Sequence, residues 1–226
     1  MKITGPGNTQ RRTQLTRERV VAAGIELADR DGIESISMRK LAQELGVEAM
    51  SLYTHVRNKD DLVDGMVDAV IGEIPTTTDG AGWKASLRQI VLAARAVVLA
   101  HPWAPQPIAS RTTPGPAMLR YINAVLGILR EGGFTIAQAH HALHLLGSRG
   151  LGFTQDLFDD SANDSAELDP ETAAGVASEL GASFPYVAEM AIAVTHAGAL
   201  GGCDDDVEFE FGLDFILDGL GRLQSS

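Results

Sequence analysis

The sequence predicts an all-α protein, with an N-terminal three-helix helix-turn-helix domain and a larger all-helical domain behind it. Three observations carry this. Apolar residues recur at spacings of three and four along most of the 226 residues. Ser, Thr or Asn stands where several of these stripes begin, as helix N-caps do. The one segment that alternates like a strand, "VEFEF" at 207–211, continues into Leu213, Phe215, Leu217 and Leu220, a pattern too long for a strand and right for a helix.

The elements follow in order. Residues 1–15 form a flexible basic arm. Thr16 caps a helix reaching Asp31, with Val20, Gly24, Leu27 and Ala28 on one face, and Gly32 stops it. Ser37 caps a short helix carrying Met38, Leu41, Ala42 and Leu45. Gly46 makes a turn, and a second short helix follows that carries Ser51, Tyr53, Thr54 and His55. Its Val47, Leu52 and Val56 point inward. Asn58 caps the next helix, with Asp61 three residues on and Leu62, Met66, Val70 and Ile74 as its buried stripe. "PTTTDGAG" at 75–82 breaks the pattern and divides a domain at 16–75 from one at 83–226.

Beyond the break, helices are expected at 83–100, 116–131, 135–153, about 171–180, 185–198 and 207–223. "HPWAPQP" (101–107) reads as a rigid connector, and Thr135 with Gln138 as a capping box. The helices at 135–153 and 207–223 are apolar around much of their circumference and so must be buried. A bundle of two helices from each of two subunits achieves that. The loop at 159–170 is acidic and poor in apolar residues.

Charge is unevenly distributed. Net charge is −12, yet residues 1–60 carry ten Lys and Arg against eight Asp and Glu. Salt screens charges beyond about 8–10 Å. A mildly basic head can therefore meet a polyanion while a distant acidic body is screened and suppresses loose binding. No long charge-free apolar run suggests a membrane span, the N-terminus lacks the apolar core of a secretory signal, and the lone Cys203 fits a reducing cytoplasm.

Two short helices joined by a Gly turn and braced by a third are the parts of a helix-turn-helix, whose second helix enters the major groove. Ser51 and Thr54 offer hydroxyls, His55 a ring nitrogen, and Ala49 and Met50 apolar contact for thymine methyls. Tyr53 suits a phosphate. Asn58 and Lys59 begin a helix, where free amides favour an anion. Arg39 and Lys40 can hold the backbone from the preceding helix. A small three-helix core without DNA activity has the same pattern.

"GIESISMRKLAQELGVEAMSLYTHVRNKDDL" resembles the N-terminal domain of the TetR family of transcriptional repressors. "AHP", "EGGFTIAQA" and "FEFGLDFILDGL" resemble, more loosely, the tetracycline-repressor branch. The resemblance implies a homodimer on double-stranded operator DNA, released by a small-molecule effector. It places Arg39, Ala49, Met50, Ser51, Tyr53, Thr54, His55 and Lys59 at DNA-contact positions. Ala49 and Met50 stand where the tetracycline repressor has Gln and Pro, so the operator sequence does not carry over. Ile108 stands at the position of its metal-binding His, with Asp156 near its carboxylate. That argues against a magnesium–tetracycline chelate and for an apolar or aromatic effector.

In the second domain the polar candidates for effector contact are Asn123, His140, His144, Arg149 and His196. His140 and His144 share a helix face at the spacing some zinc sites use, but no Glu completes one, so no metal and no cofactor is expected. A helical small-molecule or metal-binding protein with an inactive helix-turn-helix is the rival reading. No nucleophile motif, phosphate loop or carboxylate pair points to an enzyme.

Overall fold

A computed structural model describes residues 14–79, 82–150, 181–186, 189 and 205–224. Among these residues every regular element is helical and there is no strand. The elements are α1 (Arg17–Asp31), a 3₁₀ turn (Ile33–Ser35), α2 (Met38–Leu45), α3 (Ala49–Leu52), α4 (Lys59–Gly72), α5 (Trp83–Ala100), α6 (Pro105–Ser110), α7 (Pro116–Glu131), α8 (Ile136–Gly150) and α9 (Asp205–Gln224). The chain divides into two compact units, 1–79 with 89–127 and 80–88 with 128–226. The expected helices at 171–180 and 185–198 fall wholly or largely outside the described residues, as do Asp156, the loop at 159–170, His196 and Cys203.

In the first unit the expected caps form. The N–H groups of Arg19, Lys40 and Asp61 donate to the side chains of Thr16, Ser37 and Asn58 at 3.3, 3.2 and 2.8 Å. Gly46 takes φ 64°, a left-handed conformation that an L-residue adopts at a cost, and ends α2 tightly enough for α3 to fold back. Val20, Leu27 and Ala28 of α1 and Leu62, Met66 and Val70 of α4 are buried, and the two helices pack together. Gly24 permits this contact, because a Cβ there would lie 2.9 Å from Met66 Sδ.

The connector expected at 101–107 runs into a short helix. The Ala104 N–H donates to the His101 carbonyl at 2.9 Å, and α6 begins at Pro105. Proline is tolerated in a first helical turn, where its missing N–H would have had no partner. Polar contacts pin this segment to α1 and α4. Asp29 Oδ1 accepts the indole N–H of Trp103 at 2.7 Å and lies 2.8 Å from Nδ1 of His101. Arg111 donates to Asp64 at 2.5 Å, and the Ala117 N–H donates to Asp68 at 2.8 Å, an N-cap lent to α7 by α4.

In the second unit Thr135 and Gln138 form the expected capping box, with bonds of 2.8 and 3.2 Å in the two directions. Ala139, Ala142 and Leu146 of α8 and Phe209, Leu213, Leu217 and Leu220 of α9 are buried, and α8 packs on α9. Trp83 meets Phe134 edge to face at 4.8 Å. Arg88 pairs with Glu210 and Asp214 at 2.6 and 2.9 Å, and Lys84 pairs with Asp218. Within the single chain α8 and α9 are buried on one side of each. Leu145, Val207, Phe211 and Phe215 are at least half exposed.

Asp29→Ala deprives two buried side chains of their acceptor. It is expected to cost about 1–3 kcal/mol, the desolvation of an unmade bond, read as a lower urea midpoint at unchanged slope.

Candidate DNA-reading surface

The candidate reading element is built around a helix too short to stand alone. α3 has four residues, and no side chain caps its start at Glu48. Leu52 and Val56 are fully buried, which fixes one side of the segment, while Val47 is half-buried. Past α3 the chain tightens. The His55 and Val56 N–H groups both donate to the Leu52 carbonyl, at 2.8 and 3.0 Å, and the Thr54 hydroxyl donates to the Ser51 carbonyl at 2.7 Å. Tyr53, Thr54 and His55 therefore sit in a turn after α3, not within the helix as the sequence suggested.

This arrangement brings most of the sequence-derived residues to one exposed stretch. Met50 and Tyr53 are 73% and 46% exposed, Ser51 and Thr54 are exposed, and Ala49 and His55 are half-buried. Lys59 is exposed at the first position of α4, and Arg39 is exposed on α2. Asn58 is also exposed, but its side-chain oxygen is committed to the cap of α4. Lys40 is engaged by Asp31 at 2.8 Å, within a network in which Arg30 joins Asp31 to Glu44.

Two arginines of this region were not singled out from the sequence. Arg57, between the reading turn and α4, is 86% exposed. Arg17, in the first turn of α1, grips Asp61 at 3.0 and 3.1 Å. The Arg17 guanidinium, with help from the Arg57 backbone N–H at 2.8 Å, holds the Asp61 carboxyl down at about 2. The same partnership raises Arg17 above its usual value. Basic character in the first turn of α1 was visible in the sequence, but its partner 44 residues away was not.

The effector candidates are more scattered. Asn123 is exposed on α7 in the first unit. His140 and His144 are exposed on α8 in the second, their Nε2 atoms 3.2 Å apart. Arg149 lies on α8 with its side chain outside the described residues, and His196 lies outside them altogether. Among the described residues no three His, Cys, Asp or Glu side chains converge as metal ligands do. Ile108 is buried in α6. Burial pushes the Tyr121 phenol, two residues before Asn123, up to about 12. No described helix is long and apolar enough to cross a membrane.

Residues 20–66 match the family model for bacterial regulatory proteins of the tetR family, and residues 74–223 match that for the tetracyclin repressor-like C-terminal domain. The chain belongs to the TetR family. TetR-family regulators are ligand-responsive DNA-binding repressors. An HTH-type transcriptional regulator of Saccharopolyspora erythraea is 41% identical over 53% of this chain, a match spanning 51% of that relative. The HTH-type transcriptional repressor DrrR1 of Streptomyces coeruleorubidus is 32% identical, over 91% of this chain and 77% of the relative. Among solved structures, the Streptomyces coelicolor TetR family protein ActR in complex with actinorhodin is similar. Its TM-score is 0.72 at 27% identity, covering 95% of this chain and all of that one.

Because Asp61 is depressed in the folded TetR-family chain relative to its usual 3.8, it stabilises above about pH 4, and that stabilisation is lost as pH falls through about 2. Asp61→Asn is expected to be the less stable protein at pH 6 and to lose less between pH 4 and 2. Urea midpoints across that range measure both.

Proposed function

We propose that this TetR-family regulator acts in the cytoplasm as a homodimeric repressor that grips a palindromic operator and lets go when a small effector binds. A head at 16–75 reads DNA, and a body at 83–226 carries dimerisation and effector binding. The observation that carries the reading is the exposed turn from Met50 to His55, seated on buried Leu52 and Val56. It offers hydroxyl, imidazole and apolar groups to base edges. Ser51, Thr54 and His55 read bases, Ala49 and Met50 meet thymine methyls, and Tyr53, Asn58, Lys59 and Arg39 hold phosphates. Lys40 joins them with its charge shared with Asp31. Two such heads engage half-sites about 34–36 Å apart.

Dimerisation is supported by the exposed Val207, Phe211 and Phe215, which follow one another at four-residue intervals along α9. A second subunit covering that stripe buries about 1.5–3 kcal/mol worth of apolar surface per aromatic side chain. The effector candidates in the second unit are His140, His144 and Arg149 on α8, with Asn123 on α7 and His196 carried from the sequence alone. With Ile108 in place of a metal-binding imidazole, the effector is apolar or aromatic and not a magnesium chelate. It shifts α4 and with it the spacing of the heads, and the coupling is reciprocal, so DNA weakens effector binding by the same factor.

Selection of duplexes from random DNA by the purified protein is expected to enrich a palindrome, and its absence at low salt sinks the proposal. Tyr53→Ala is expected to weaken binding to the enriched duplex by about tenfold, or ~1.4 kcal/mol, with the dimer mass unchanged. Phe211→Asp with Phe215→Asp is expected to give a monomer by light scattering. A thermal-shift screen beginning with actinorhodin, the molecule held by ActR, tests the effector class; His140→Ala with His144→Ala is expected to remove the response.

A further inference from the structure

α3 spans little more than one turn, so its own hydrogen bonds do not set its direction. The carbonyls that end such a turn need partners from elsewhere. Arg17 supplies one: its Nη1 donates to the His55 carbonyl at 2.8 Å. Nη1 also donates to Asp61 Oδ2 at 3.1 Å, and Nη2 donates to Asp61 Oδ1 at 3.0 Å and to the Asp61 carbonyl at 3.3 Å. A guanidinium has five N–H groups, and four of Arg17's are occupied by these bonds. Asp61 meanwhile accepts from the Arg57 N–H at 2.8 Å. Both ends of the 55–61 link are thus tied to one side chain on α1. Gly65 makes room for it, since a Cβ there would meet Val21 Cγ2 at 2.9 Å and Arg17 Nη2 at 3.4 Å.

We propose that Arg17 is a positioning residue for DNA recognition, which fixes the reading turn at Tyr53 to His55 against α1 and α4 through Asp61 and itself touches neither base nor phosphate. This rests on the reading of residues 49–59 as the DNA-reading surface. Arg17 is basic and 41% exposed, so the competing role is an ordinary phosphate contact. The two roles give opposite signs on removal of Asp61. A phosphate-binding Arg17 freed from a carboxylate binds DNA as well or better, because a negative charge has left the interface. A positioning Arg17 that has lost its anchor lets the turn drift, and specific affinity falls.

The experiment uses the full-length protein with two probes, a duplex enriched by the wild-type protein from random DNA and a scrambled duplex of the same composition, each titrated across a range of KCl. Asp61→Asn and Arg17→Ala are each expected to lose about tenfold or more for the enriched duplex. The double variant is expected to be no worse than Arg17→Ala, because coupled residues are not additive. Affinity for the scrambled duplex and the salt slope are expected to stay as in wild type. Arg17→Lys keeps the charge without the planar fork and is expected to behave like Arg17→Ala. Thermal midpoints and light scattering on every variant keep the titrations below unfolding and on the same oligomer.

The proposal is overturned if Asp61→Asn binds the enriched duplex as tightly as wild type, or if Arg17→Lys retains wild-type affinity. It is equally overturned if Arg17→Ala weakens both duplexes alike and lowers the salt slope by about one, the signature of a lost phosphate contact. Failure of the wild type to enrich any duplex overturns the DNA-reading surface itself and is recognisable before any variant is made.

Discussion

A candidate reading element of barely one helical turn has no rigidity of its own, and the packing of α1 and α4 beside it answers that constraint. Two forces act on it, and their magnitudes separate their roles. Burying Leu52 and Val56 contributes roughly 1.5–3 kcal/mol for each side chain, so apolar burial decides that the segment stays attached. An ion pair as exposed as Arg17 with Asp61 contributes at most about 1 kcal/mol. Its four directed bonds matter for geometry instead, because apolar contact resists rotation of the turn only weakly. Attachment is non-directional and angle is directional, and the sequence assigns them to different residues.

The same division explains why an acidic α4 is compatible with a DNA-binding head. Asp61, Asp64 and Asp68 lie on α4, and each is spent on a partner within the unit: Arg17, Arg111 and the Ala117 N–H. The charges of Asp61 and Asp64 are paired with arginines, the Asp68 carboxylate accepts a backbone N–H, and Arg39, Arg57 and Lys59 stay exposed alongside Asp60. Electrostatic attraction at a phosphate is settled within about 8–10 Å. The chain's net charge of −12 therefore says little about the potential at Tyr53.

Much of this was legible in the sequence because its causes are local. Thr16, Ser37, Asn58 and Thr135 announce helix starts through bonds only three residues long, and Gly46 announces a turn through its own φ. The buried stripe of α4 follows from helical periodicity alone. α6 was hidden because prolines ordinarily signal a break, and only their place in the first turn makes Pro105 and Pro107 compatible with a helix. The Arg17 clamp was hidden for a different reason. Its partners are 38 and 44 residues away, and no spacing rule links an arginine in one helix to a carbonyl in another. The contact-candidate residues were legible as types, but which of their atoms are already occupied was not. Asn58 and Thr54 both turn out to spend polar atoms on their own backbone.

α9 shows how far circumferential apolarity carries an argument. Its residues divide among three faces. Phe209, Leu213, Leu217 and Leu220 are buried. Glu210, Asp214 and Asp218 meet Arg88 and Lys84. Val207, Phe211 and Phe215 face outward, all three more than half exposed. The ionic face fixes which way the helix is rolled, since rolling it to bury Phe211 and Phe215 within the chain would carry three carboxylates away from their cations. With the roll fixed, that face is left open by the described residues of the chain. Apolar side chains standing singly on a surface need no explanation, but a stripe of them does. In the proposed homodimer a two-fold partner presenting the same stripe covers it, because a closed isologous contact uses one surface twice and leaves none over for unlimited association.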